Sequence, residues 1–482
     1  MKNYYKLWLI NYLKKINFFL ISFVKKIILN NFKNNIKKKM KILLPFLFLF
    51  LSIIHSKDLF EDYSKQALKI MSKMTTEEKI GQLFFAHYSD IKPTEDIPKY
   101  KPGGIIFFSE DFNKDETTIK AEIDKMQSLS KKSIGLPLGL SVDEEGGNYN
   151  VVSKKHRAEG GFLSVQNIYK ESGIDGLLKI EQEKRDLLRK FNLNINLGIV
   201  ADISTNTDDF ICSRTLGQNA EITADYILKD VEGYVNDKFT CCVKHFPGYG
   251  NNPEIKVDTV IDNRKFDVLY ENDFKPFIKA INQKVPMILF SNIIATCKDS
   301  IYPVSLSKTW HDYIRKDLSF SGLILTEINM ENINKYTNGK SPAVVAVNAG
   351  NDIIFTNDFY NQFESVVQAV KSGDISEEII NTACKRIISW KLQYLDSEKI
   401  NKNNLKINDN NSTIDEDDIE KINRYYSKSN SKNTSLVIVL CVVFGVVIIF
   451  AIIFIGRIYF KKKKVVPSEG HDSQYKLPVG KK

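Results

Sequence analysis

Eight short apolar runs, separated by amphipathic stretches, constrain this chain more than any other feature. They are "QLFFAHYS" (82–89), "GGIIFFSE" (103–110), "LGLSVDEEGG" (138–147), "NINLGIVADI" (194–203), "CCVKHFPGYG" (241–250), "VPMILFSN" (285–292), "GLILTEIN" (322–329) and "NDIIFTND" (351–358). Each is almost continuously apolar, whereas a strand with one wet face would alternate. Such strands are buried on both faces, as in a parallel sheet covered by helices. The stretches between them, such as "IKAEIDKMQSLSKK" and "NAEITADYILKDVEGYVND", carry apolar residues at helical spacing. The pattern predicts an α/β fold, a (β/α)8 TIM-type barrel, with a doubly wound open sheet as the alternative. "SEEIINTACKRIISWKLQYL" (376–395) reads as the helix that closes the fold.

Charge belongs to topology here. The net charge is +10, yet the first 41 residues hold eleven Lys and no acid, and residues 457–482 hold eight basic against two acidic. The long middle is therefore net acidic, which argues against a nucleic-acid-binding groove. "LVIVLCVVFGVVIIFAIIFI" (436–455) is apolar over twenty residues and is followed by "RIYFKKKK". That length crosses a bilayer, and the basic flank marks the cytosolic side. "KKKMKILLPFLFLFLSIIHSKD" supplies the matching export signal, with cleavage expected near Ser56, an uncleaved anchor as the rival, and Met40 as an alternative start. The expected plan is a leader over 1–56, a barrel over 57–396, a polar stalk over 397–434, a transmembrane helix over 435–456 and a cytosolic tail over 457–482. The body would then be extracellular or lumenal, with a glycosylation acceptor in "NNST" at 410–413. Of six Cys, Cys441 falls in the span. The other five include Cys241 and Cys242, whose side chains point to opposite faces of a strand, so no disulfide framework is implied.

In barrels of this type the active site lies at the C-terminal ends of the strands. Those ends carry Asp143 with Glu144 and Glu145, Asp202, Lys244 with His245, and Glu327. Carboxylates facing one cavity suit glycoside cleavage, where an acid and a nucleophile flank the bond. His87, His156, His245 and His311 are scattered without ligand spacing, and no cofactor motif appears; glycoside hydrolysis needs none.

"KHFPGYG" (244–250) resembles the "KHFPGHG" hallmark of glycoside hydrolase family 3, in its bacterial β-N-acetylhexosaminidase branch. Over residues 70 to 390 and in order, "PGGIIFFSEDF", "LSVDEEGG", "RTLGQNAEITAD", "FSGLILTEINM" and "VVAVNAGNDIIF" also resemble motifs of that family. The resemblance implies a retaining mechanism with a covalent glycosyl-enzyme intermediate. It implies that Asp143, Arg214, Lys244 and His245 hold sugar hydroxyls, and that Glu327 stands at the nucleophile position, where the family has Asp. Departures fall on the chemistry. Tyr249 replaces the His of "GHG", Ser213 replaces an Asp, Asn148 replaces an Arg, and the "DSH" acid/base element has no counterpart in "NNPEIKVD". Lys256 and Tyr249 titrate too high for a general acid, so Glu254 and Asp258 are the candidate substitutes. The resemblance implies a retaining glycosidase acting on terminal β-linked sugars, and the apolar run at 436–455 adds the expectation that it is membrane-anchored. A carbohydrate-binding pseudoenzyme displayed at a membrane is the alternative, and a sugar-free scaffold a third.

Overall fold

A computed structural model describes residues 58–395 apart from 251, 253–259 and 330. The eight apolar runs become the eight strands of one closed barrel: β1 (Phe84–His87), β2 (Gly104–Ile106), β3 (Gly139–Val142), β4 (Ile195–Val200), β5 (Thr240–Phe246), β6 (Met287–Phe290), β7 (Leu323–Glu327) and β8 (Ile353–Thr356). Neighbours follow chain order around the ring and every pair is parallel, with Phe84 opposite Ile354 closing β1 onto β8. Closure sets aside the open-sheet alternative. A two-residue side ribbon, Ile261–Asp262 on Ile294–Ala295, falls outside the predicted runs because two residues carry no periodicity.

Local chemistry agrees with this arrangement. Helices begin at residues that satisfy their free N–H groups: Thr75 with Glu78 in a reciprocal capping box, Asp115 on Thr118, Asn219 on Ile222 and Ser307 on Trp310. The barrel interior is filled rather than hollow. The Phe85 ring lies where a Cβ on Gly104 or Gly139 would come within 2.6 Å of it, so these two strand glycines make room for the aromatic layer. At the opposite end from the mouth, the helix Glu377–Tyr394 ties the fold together. Trp390 Nε1 donates to Thr240 Oγ1 at 3.1 Å, and Arg386 meets Asp352 at 2.9 Å.

Cys241 and Cys242 are both buried. The first is influenced by Asp230 and Arg185 in the helical layer, the second by Lys244 and Asp143 inside the barrel, and burial pushes both thiols up. Among the described residues no helix is long and apolar enough to cross a membrane. The leader, the stalk, the run at 436–455 and the tail lie outside the described residues.

Candidate active site

The alternation of a strand decides which residues reach the mouth. Asp143 and Glu145 turn inward, and Glu144 between them turns away. Glu144 is fully buried and accepts hydrogen bonds from Val152 N at 2.7 Å, Val151 N at 3.2 Å and the Ser153 hydroxyl. It pins the loop after β3 instead of facing the cavity, and burial raises its pKa. Glu144→Ala leaves these buried donors unpaired and is expected to cost roughly 3 kcal/mol of stability, read by denaturant unfolding.

The inward pair meets Lys244. Its ammonium, buried on β5, lies 2.5 Å from Asp143 Oδ1 and 2.6 Å from Glu145 Oε1. Glu145 is shared with Arg214, which approaches it through two nitrogens at 2.9 and 2.7 Å and stacks over the Tyr149 ring at 4.3 Å. Burial pushes Glu145 up, but Lys244 and Arg214 outweigh it and hold the carboxyl at about 2. This is a buried network of alternating charges held by short, charge-assisted hydrogen bonds.

His245 is fixed by a residue just beyond β4. Asp202 is buried and uses both oxygens: Oδ2 sits 2.7 Å from His245 Nδ1 and accepts from His245 N at 3.1 Å, while Oδ1 accepts from Tyr249 N at 2.8 Å. Nδ1 therefore carries the proton and Nε2 faces the mouth, 3.4 Å from an Arg214 nitrogen. Burial lowers the imidazole pKa despite Asp202. Tyr249 packs edge-on against His245 at 5.2 Å, and burial raises its phenol well above the ordinary range, so it keeps its proton.

Glu327 ends β7 and is that strand's solvent-open residue, yet protein stands around it on nearly every side. That enclosure pushes its carboxyl up, with Asp143 adding and Asn329, Lys244 and Arg214 opposing. Asn329 Nδ2 donates to Glu327 Oε1 at 3.0 Å, and Asn292 Nδ2 donates to its backbone carbonyl at 3.0 Å.

The structure thus brings Asp143, Glu145, Arg214, Lys244, His245, Asp202 and Glu327 to one mouth. Asn148 lies exposed on the turn beside Tyr149. Glu254, Asp258 and Lys256 lie outside the described residues. His156 and His311 sit elsewhere, against the carbonyls of Phe112 and Ser307. Three polar side chains at strand ends, His87, Asn292 and Asn329, were not among the sequence candidates. Their position directly after apolar runs was the available signal.

A closed parallel barrel whose C-terminal mouth gathers carboxylates, an ammonium and a guanidinium has the layout of a TIM-barrel enzyme. The glycosyl hydrolase family 3 N terminal domain matches residues 75–390, so the chain belongs to glycosyl hydrolase family 3. It is similar to an uncharacterized secreted glycosyl hydrolase of Arthroderma benhamiae, 29% identical over 336 residues that span 64% of this chain and 90% of the relative. It is also similar to β-hexosaminidase A of Pseudoalteromonas piscicida, 22% identical across 68% of this chain and 63% of the relative. Among solved structures, a family 3 β-N-acetylglucosaminidase from Paenibacillus sp. superposes with a TM-score of 0.61 at 24% identity, covering 67% of this chain and 63% of that one. The chain spans under two thirds of these last two proteins, and the structural likeness speaks for the fold.

Proposed function

We propose that this chain is a retaining glycoside hydrolase of β-N-acetylhexosaminidase type, removing terminal β-linked sugars from glycans. The observation that carries the reading is the Glu327 carboxylate standing in one mouth with the Asp143–Lys244–Glu145–Arg214 fork. In this reading the fork and His245 hold the sugar hydroxyls, and a Glu327 oxygen attacks the anomeric carbon. The glycosidic C–O bond breaks as the leaving oxygen takes a proton from a general acid, assigned to Glu254 or Asp258. A water, deprotonated by the same group, then attacks the glycosyl ester. Sugar leaves with configuration retained, and the Glu327 carboxylate is regenerated.

The basic-flanked apolar run at 436–455 supports a body displayed outside the cytosol on a single anchor, with residues 457–482 cytosolic. One observation favours a second reading, a sugar-binding pseudoenzyme. Tyr249 stands where a titratable His belongs in the resemblance, and it holds its proton.

The full-length chain separates the two when assayed on a panel of aryl β-glycosides, N-acetylglucosaminide first, with Glu327→Gln beside it. Turnover lost in the variant supports the hydrolase. No turnover, with saturable sugar binding by calorimetry, replaces it with the receptor.

A further inference from the structure

The amide of Asn329, two residues beyond Glu327, has three partners. Its Oδ1 lies 2.7 Å from the Asn357 backbone nitrogen. Its Nδ2 lies 3.0 Å from Glu327 Oε1 and 3.1 Å from His87 Nε2. A backbone N–H only donates, so the amide oxygen must face Asn357 and the nitrogen must face the other two. An amide nitrogen also only donates, so His87 Nε2 must accept. The imidazole proton then belongs on Nδ1, which faces the buried Asp90 Oδ2 at 3.5 Å without a hydrogen bond, so that carboxylate acts on the ring through its charge. The three contacts of the Asn329 amide are satisfied together only when His87 Nε2 carries no proton, with the ring neutral.

We propose that His87 is a positioning residue for Glu327, acting through Asn329: the neutral ring accepts one N–H of the amide and so holds the other on the carboxylate. Protonated His87 presents a donor where Asn329 also presents one, and the amide cannot turn over without abandoning Asn357. The clamp on Glu327 therefore opens with acid. His87 sits at the end of β1, almost buried, with Phe108 edge-on at 4.6 Å, Asn329 on its other side and Asp90 as the charged group facing it. Burial lowers its pKa and Asp90 opposes that, so the ring is neutral at pH 7 and charges as pH falls below the ordinary histidine range. The catalytic significance rests on the reading of Glu327 as nucleophile; the clamp itself does not.

Two measurements test it. In the full-length chain labelled with ¹⁵N at histidine, multiple-bond proton–nitrogen correlation, with His87→Gln used for assignment, is expected to show His87 as the Nδ1–H tautomer at neutral pH. An Nε2–H tautomer overturns the proposal whether or not the protein hydrolyses anything. In kinetics, His87→Leu is expected to lower kcat roughly tenfold with KM within about twofold. His87→Gln retains an acceptor without a titrating proton, so it is expected to keep kcat. It also removes from the acid limb of the rate profile the extra fall of roughly tenfold that protonating His87 adds to the protonation of Glu327. A Leu variant with unchanged kcat, or a Gln variant whose acid limb matches the parent's, also overturns it. An absence of all hydrolysis defeats the assigned activity, and the tautomer then decides the clamp alone.

Discussion

Glu327→Gln is expected to lower kcat by roughly 10³-fold or more, and Glu327→Asp, which restores the residue the resemblance places there, by about a hundredfold. The first follows from chemistry, since an amide cannot form the glycosyl ester. The second is decided by geometry. Asp withdraws the carboxylate by one methylene, more than ~1 Å, and a misplacement of that size costs about two orders of magnitude. If the mouth were still built for Asp, the substitution would raise the rate. It is not built so: Asn329 Nδ2 meets the longer side chain at 3.0 Å, a contact that suits Glu. The pH profile carries a sign of its own. Enclosure raises the Glu327 pKa, so on the proposed reading the nucleophile ionises at a higher pH than a free Glu and the rate should climb with pH as it does so. Steady-state kinetics of both variants between pH 4 and 8 check the argument; a faster Asp variant would sink it.

The barrel was legible because burial on both faces of a parallel strand leaves continuous apolar runs, which "GGIIFFSE" and "VPMILFSN" show plainly. The site was legible in part, since charged residues directly after such runs have few other reasons to exist. Glu144 shows the limit. Three successive acids, Asp143, Glu144 and Glu145, look alike in sequence, but two-residue alternation sends the middle one to the loop amides of Val151 and Val152. His87 and Asn329 show another limit. They meet across the ring because β1 closes onto β8, which pairs β7, and no spacing along the chain encodes a contact of 242 positions. Asn also carries no charge to draw notice. Arg214 reached the list only through the resemblance, since it follows no apolar run and joins Glu145 by a long loop after β4.

Lys244→Met should be the most damaging single change to stability in the mouth. Lys244 is 3% exposed and stands between two carboxylates, Asp143 at 2.5 Å and Glu145 at 2.6 Å. Removing one partner of a buried ion pair costs about 3–5 kcal/mol because the remaining charge keeps its desolvation penalty. For a domain of this size that is a fall in Tm of about 10 °C. Glu145 makes the effect pH-dependent. Its folded pKa of about 2 lies below its ordinary value, so it stabilises the fold above the ordinary carboxylate range, and that contribution fades as pH falls toward 2. Without Lys244, burial opposes Arg214 alone and the folded pKa rises, so acid unfolding should begin at a higher pH than in the parent. Adding Asp143→Asn to Lys244→Met should recover part of the lost Tm, because the carboxylate that paired with Lys244 goes with it while Glu145 keeps Arg214. Thermal scans at pH 4 and 7 on the four proteins of this cycle read the coupling directly. A Lys244→Met protein with the parent's Tm at both pH values would mean that water, rather than the ammonium, neutralises this mouth, and the fork would then be free to serve sugar alone.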